Sequence, residues 1–260
     1  MCTVSVIFPP DHPGLFRVVS NRDEQRSRPP ATPPTWHAIK GGSTDARALW
    51  PTDTLAGGTW IAASQHGLVL AILNLNLDPP VSVRGVRGLL SRGSVIPALI
   101  GQPDAAAAME GLRKLPLDRF APFRLIAVNA GPAHAYTSTL NSGQVLEARW
   151  DRCDFSRREH QGPAVCFASS GLGDHTVQDR LTLFERSSAA STISAMAQDE
   201  FHNHQWHDRP EASVRMSRDD ARTVSVAAVT VARADTQSNS LRVSMDYRTV
   251  EDTAAKRVSA

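Results

Sequence analysis

Met1-Cys2-Thr3-Val4-Ser5-Val6-Ile7-Phe8 opens the chain, β-branched and apolar from Thr3 onward. Pro9-Pro10 with Pro13-Gly14 then forces a turn, and Leu15 to Ser20 reads as a second strand. The spacing predicts a β-hairpin that starts on a cysteine. Methionine aminopeptidases remove Met1 when the next side chain is small, as Cys2 is, so the mature chain is expected to begin at Cys2. It would then carry a thiol and a free α-amine on one carbon. An α-amine titrates at about 7.7–8.0 and takes a thiol proton near neutral pH. On position alone, Cys2 also reads as a small apolar residue that starts a strand.

Outward from the hairpin, Arg26 to Pro34 is rich in Arg and Pro and predicts an extended loop. Thr59 to Ala63 and Gly67 to Asn74 predict a second hairpin, whose second strand is apolar at nearly every position and therefore buried on both faces. Val83 to Ile100 and Pro103 to Leu115 predict helices, the second with Asp104 at its start and Arg113-Lys114 in its last turn. Strands are expected at Phe123 to Asn129, Ala133 to Ser138, Gln144 to Ala148 and Ala164 to Ser169. Thr176 to Gln198 predicts one long helix or two short ones. Ser213 to Ser217, Thr223 to Val231 and Leu241 to Tyr247 predict closing strands, and Glu251 to Ala260 a frayed tail. Strands, then helices, then strands again give an α+β layered domain over residues 1–250 rather than alternating βαβ units.

The chain has 260 residues with 28 basic and 26 acidic side chains, a formal net charge of +2. That balance gives no electrostatic case for nucleic acid. The three cysteines, Cys2, Cys153 and Cys166, fit no zinc spacing or disulfide framework. No signal peptide is visible, and Gly67 to Leu73, the longest apolar run, is far too short to span a bilayer, so no integral membrane association is expected. A reducing, cytoplasmic location is the expectation.

Asn21-Arg22-Asp23-Glu24 follows the second strand. It reads either as a solvated turn with a structural Arg–Asp pair or as charges placed beside Cys2 across the hairpin. In the second case Arg22 lowers the thiol pKa and Asp23 holds the α-amine. Gly57-Gly58-Thr59-Trp60 marks a bulge or a close backbone approach. Asn74, at the end of the buried strand, reads as a turn former or as a donor to a developing oxyanion. Phe201-His202-Asn203-His204-Gln205-Trp206-His207-Asp208 is the densest histidine cluster, and a polar loop is favoured there over a metal site.

Cys2, Asn21-Arg22-Asp23-Glu24, Arg28-Pro29, Gly57-Gly58-Thr59-Trp60, Gly67, Asn74 and Arg92-Gly93, in that order, resemble the NRDE family, which includes the transport-and-Golgi-organization proteins of eukaryotes. The match is specific over residues 1–95. A later stretch, Ser213 to Met216 and Asp219 to Ser225, resembles a motif of bacterial members. The family in turn is similar to N-terminal nucleophile (Ntn) hydrolases of the cysteine type, such as penicillin V acylases and bile salt hydrolases. That resemblance implies a four-layer αββα sandwich of two antiparallel sheets and cleavage of a non-peptide amide, or a thioester, by Cys2. It implies that Arg22 and Asp23 flank the thiol, Asn74 donates to the oxyanion and Arg222 is the late active-site arginine. Asn21, Trp60 and Ser170 are taken as ligand-binding residues. Ser170 stands where the acylases have a second active-site Asn, and it offers one hydroxyl donor where an amide offers two donors and an acceptor.

Two functions follow. One is an amidohydrolase that needs no cofactor. The other is a non-catalytic protein on the same fold that binds and traffics haem, acyl-CoA or lipid, with Cys2 or the arginines holding an anionic, apolar ligand.

Overall fold

A computed structural model describes residues 2–12, 15–39, 45–80, 88–130, 143–190, 193–233 and 240–251. The opening hairpin forms as the sequence predicts: β1 (Cys2–Ile7) runs antiparallel to β2 (Phe16–Gln25). Among the described residues come β3 (Thr32–Ala38), β4 (Arg47–Thr52), β5 (Ile61–Ser64), β6 (Val69–Asn74), β7 (Phe123–Asn129), β8 (Gln144–Trp150), β9 (Phe155–His160), β10 (Ala164–Ser169), β11 (Ala221–Arg233) and β12 (Leu241–Thr249). The helices are α1 (Val95–Leu99), α2 (Ala105–Leu112), α3 (Gln178–Ala190) and α4 (Ala195–Asn203).

The strands make two antiparallel sheets. One is ordered β10-β1-β2-β11-β12 and the other β3-β4-β5-β6-β7-β8-β9. Helices α3 and α4 cover the first sheet through β10, β1 and β2. Helices α1 and α2 cover the second through β6, β7 and β8, and the sheets meet through β1, β10 and β6. This is the α+β sandwich, layered αββα, that the sequence implied.

Alternation along β1 explains the layering. Cys2, Val4 and Val6 point inward and join Ala62, Leu70 and Ile72 between the sheets. Ile7 points outward to Phe184 of α3 and Phe201 of α4. β6 is covered on both faces, so Val69 to Leu73 are all buried, as the unbroken apolar run predicts.

Several elements differ from expectation. Arg26 to Pro34 is not one loop: Thr32 already belongs to β3, an edge strand. A register shift between Thr32 and Thr35 accommodates Pro33 and Pro34, which cannot donate to a ladder. Of Val83 to Ile100, only Val95–Leu99 is α-helical, preceded by a 3₁₀ turn over Arg92–Ser94; residues 83–87 lie outside the described residues. Thr176 to Gln198 takes the second of its two expected forms, parts of the two helices α3 and α4, and α4 runs on to Asn203. Ser213 to Ser217 forms no strand, only an isolated bridge from Ser217 to Arg222. The strand expected at Ala133 to Ser138 and the tail beyond Glu251 lie outside the described residues.

Candidate active site

Strand parity divides the Asn21-Arg22-Asp23-Glu24 stretch in two. Cys2 pairs with Arg22 on β2 and with Ser169 on β10, so the three share the inner face. Ser169 Oγ accepts from Cys2 N at 3.2 Å. Cys2, Arg22 and Glu24 line a cavity of about 590 Å³ with Trp60 and Asn74 on its walls. Asn21 and Asp23, one residue out of step, turn their side chains to α3 and α4.

On the inner face, Arg22 donates to Asp53 Oδ2 at 2.5 Å, and its guanidinium carbon lies 4.4 Å from the centre of the Trp60 ring. Arg28 donates to the same Asp53 oxygen at 2.7 Å. The other oxygen of Asp53 accepts from the Leu55 and Ala56 amides, both at 3.0 Å. Burial pushes the Asp53 carboxyl up, but the Ala56 amide, Arg28 and Arg22 outweigh it and hold it below the usual carboxylate range. Glu24 is more loosely held, 3.7 Å from Arg22 and 4.0 Å from Arg28. Burial pushes the Cys2 thiol up; the charge of the amino terminus opposes this, Asp23 and Glu24 add to the rise, and Arg22 opposes it. Asn74 makes no side-chain hydrogen bond among the described residues, which leaves its amide available to the cavity.

The wall opposite Trp60 depends on two glycines. Thr59 N donates to Gly93 O at 3.0 Å. A Cβ on Gly58 would sit 2.5 Å from the Gly93 carbonyl carbon and oxygen, so the two backbones meet only without one. Gly57 has φ +68°, which also favours glycine. This is the close approach that Gly57-Gly58 suggested, and it brings Arg92 to the cavity.

On the outer face Asn21 is fully buried. Its Nδ2 donates to His202 O and Val214 O, both at 2.9 Å. Its Oδ1 is therefore an acceptor, and His202 Nδ1, 2.8 Å away, carries the proton. His202 Nε2 then accepts from Ser5 Oγ at 2.7 Å, and Ser5 Oγ accepts from Gln198 at 2.8 Å. Burial, with Arg17, Arg248 and Arg180 nearby, holds the His202 pKa well below its usual value. Asp23 borders the cavity, but its carboxylate accepts from Thr223 Oγ1 at 2.6 Å and from the buried Arg180 at 3.4 Å.

Three of the expected site residues lie outside the cavity lining. Asn21 is held in the protein interior and does not line the cavity, unlike Trp60. Ser170 does not line it either. Its hydroxyl accepts from Leu172 N at 3.2 Å and its amide donates to Asp174 at 3.1 Å, so it shapes the turn that brings Gly171 to the wall. Arg222 is outside the cavity lining and donates to the Val250 carbonyl. Arg28 and Arg92 supply the additional arginine charge at the cavity. Glu24, Arg28 and Arg92 were visible in the motif but had no role assigned. Asp53 carried no sequence signal, because only the fold brings the residue after β4 under Arg22. His202 lies at the end of a helix and in the core, not in a polar loop. No cluster able to hold a metal occurs among the described residues, and no helix there is long and apolar enough to cross a membrane.

Solved structures share this architecture. Two variants of conjugated bile acid hydrolase from Clostridium perfringens superpose with TM-score 0.53 at 9% identity; one match covers 96% of this chain and 97% of that one, the other 97% of each. Penicillin V acylase from Agrobacterium tumefaciens gives 0.51 at 11% identity, covering 88% of this chain and 82% of that one. The Caenorhabditis elegans ortholog of N-acylethanolamine-hydrolyzing acid amidase gives 0.50 at 10%, covering 87% and 92%. At such identity the likeness is one of fold alone. No curated protein matches the chain by sequence. The family model described as Transport and Golgi organisation 2 matches residues 1–236, nearly the whole chain, and the chain belongs to that family.

Proposed function

We propose that the protein is an N-terminal nucleophile hydrolase that cleaves a non-peptide amide or a thioester through Cys2 after loss of Met1. The observation that carries this reading is the shared cavity of Cys2 and Asn74, with the Asn74 amide uncommitted and Cys2 N held by Ser169. In the reaction the α-amine of Cys2 takes the thiol proton and the sulfur attacks the carbonyl carbon. Asn74 donates to the oxyanion, and the leaving amine or thiol departs with the proton. Water then attacks the acyl-enzyme, giving its proton to the amine and freeing the acid. The raised thiol pKa makes this transfer to the amine necessary, because little thiolate exists beforehand.

Intact mass and turnover test the reading together. The expected mass lacks Met1, and an acyl-thioester or acyl-amide panel should contain a substrate whose hydrolysis disappears in Cys2→Ala. Turnover that survives Cys2→Ala refutes it.

The three arginines on the cavity lining, Arg22, Arg28 and Arg92, also favour a second reading, ligand carriage without turnover. In that case an anionic acyl thioester suits the cavity better than haem. No histidine or methionine lines it among the described residues, and a protonated thiol is a poor iron ligand. A stable stoichiometric complex with no hydrolysis over many hours would favour carriage.

A further inference from the structure

A second cavity adjoins the Cys2 cavity. That chamber, of about 570 Å³, is lined by Leu75, Asn76, Pro122, Leu172 and His175, and it shares Arg92, Ala121 and Gly171 with the first. Arg92 thus stands on the wall common to both.

Its situation differs from that of the other two arginines. Arg22 and Arg28 share Asp53 and Glu24, two cations against two carboxylates. Arg92 is partly buried and makes one side-chain hydrogen bond, from Nη1 to the Pro122 carbonyl at 3.0 Å. It pairs with no carboxylate among the described residues, and Cys2 and Glu24 act on it only through space. Burial pushes its pKa below the usual arginine value, the mark of a cation short of compensation. A guanidinium has five donors in a planar fork suited to carboxylate or phosphate, and four of them are uncommitted here. The Gly58–Gly93 approach fixes the base of this side chain, so the fork is presented by a rigid turn rather than a free loop.

We propose that Arg92 is the anion-recognition residue of the cleft, and that the compound handled at Cys2 carries a carboxylate or phosphate that reaches the wall between the two chambers. The proposal builds on Cys2 as the reactive group of the first chamber. It adds a substrate class: an elongated acyl compound with an anionic group, not a neutral amide.

Alkylation kinetics test it without any turnover. The full chain is treated with iodoacetate or iodoacetamide, and Cys2 and the exposed Cys153 are followed by peptide mass mapping. The iodoacetate-to-iodoacetamide rate ratio at Cys2 should exceed that at Cys153 by about tenfold, as expected for an anion drawn into a cationic cleft. Arg92→Gln should bring the ratio down to the Cys153 value, and Arg92→Lys should keep most of it. Octanoate or octyl phosphate should slow Cys2 alkylation by iodoacetamide, whereas octanamide should not. The stronger of the two anions identifies carboxylate or phosphate as the group preferred. Equal ratios at both cysteines in the wild type overturn the proposal. So does a raised ratio that survives in a folded Arg92→Gln, or equal protection by octanamide. If Arg92→Gln does not fold, the wild-type ratio and the octanamide comparison decide. Turnover that survives Cys2→Ala would sink the hydrolase reading while leaving the alkylation ratio intact, so the two failures are distinguishable.

Discussion

Replacing Asn21 with alanine removes three hydrogen bonds from a site that water does not reach. The His202 carbonyl, the Val214 carbonyl and the His202 Nδ1 proton each lose the partner that Asn21 supplies. A buried polar group left unpaired costs about 1–3 kcal/mol, so the three together cost about 3–9 kcal/mol. The lower end alone is a large share of a stability of about 5–15 kcal/mol. For a chain of this size, about 3 kcal/mol lowers Tm by about 6–12 °C. Thermal and urea unfolding followed by circular dichroism should show that loss in Asn21→Ala. Asn74→Ala, on the cavity wall, should leave Tm nearly unchanged. The contrast is the point of the experiment, because both residues belong to the same motif set and a purely functional reading treats them alike. An Asn21→Ala protein that melts within about 2 °C of wild type would refute the assignment of alternate faces to alternate residues of the motif.

Three more outcomes are expected. Asn74→Ala should cut hydrolysis of any identified substrate by about 10²–10³ at unchanged fold, and loss of less than about threefold would remove it as the oxyanion donor. Stability should fall as pH drops below about 6.5, where His202 in the unfolded chain takes a proton that the folded site refuses. The slope from this group is at most about 1.4 kcal/mol per pH unit and should vanish in His202→Gln; urea midpoints at pH 7.5 and 5.5 measure it. Gly58→Ala should displace Arg92 and slow Cys2 alkylation by iodoacetate more than by iodoacetamide, because the new Cβ meets Gly93 backbone at 2.5 Å. Equal rates in mutant and wild type would show that the turn absorbs the methyl group.

Much of the scaffold can be read in the residues. The hairpin of β1 and β2, the doubly buried β6, and α2 with its Asp104 cap all follow from local pattern; Asp104 accepts from Ala107 N at 2.7 Å. β3, β4 and β9 escaped reading, and two of them show why. β3 contains prolines and survives because it lies on an edge with a register shift. β9 is mostly exposed and highly charged, which is how edge strands avoid pairing with other chains but which hides them from a search for buried alternation. At the site, motif order was enough to bring Cys2, Arg22, Trp60 and Asn74 together around one cavity. It could not separate Arg22 from Asp23, because the facing of a strand residue depends on register, and register is set by pairing with β1 and β11. Asp53 was out of reach for a different reason: it meets Arg22 only through the packing of two sheets. His202 was misread because a histidine among polar neighbours looks solvated until a helix end is seen pressed onto a sheet.

The alternation of β2 gives the four-residue motif a phase, and a phase can be lost without changing any letter. Deleting one residue between Phe16 and Ser20 would leave Asn21-Arg22-Asp23-Glu24 intact as a string. If the ladder with β1 kept its length, the arginine would face α4, the aspartate would stand opposite the thiol and the amide opposite Val4. A text search would still find the motif, yet the chain would have exchanged its anchors for its cavity wall. Natural length variation should therefore collect in the turn between β1 and β2 and spare the strand itself. In a sequence of this type, the distance from the cysteine's paired position to the motif is as informative as the motif.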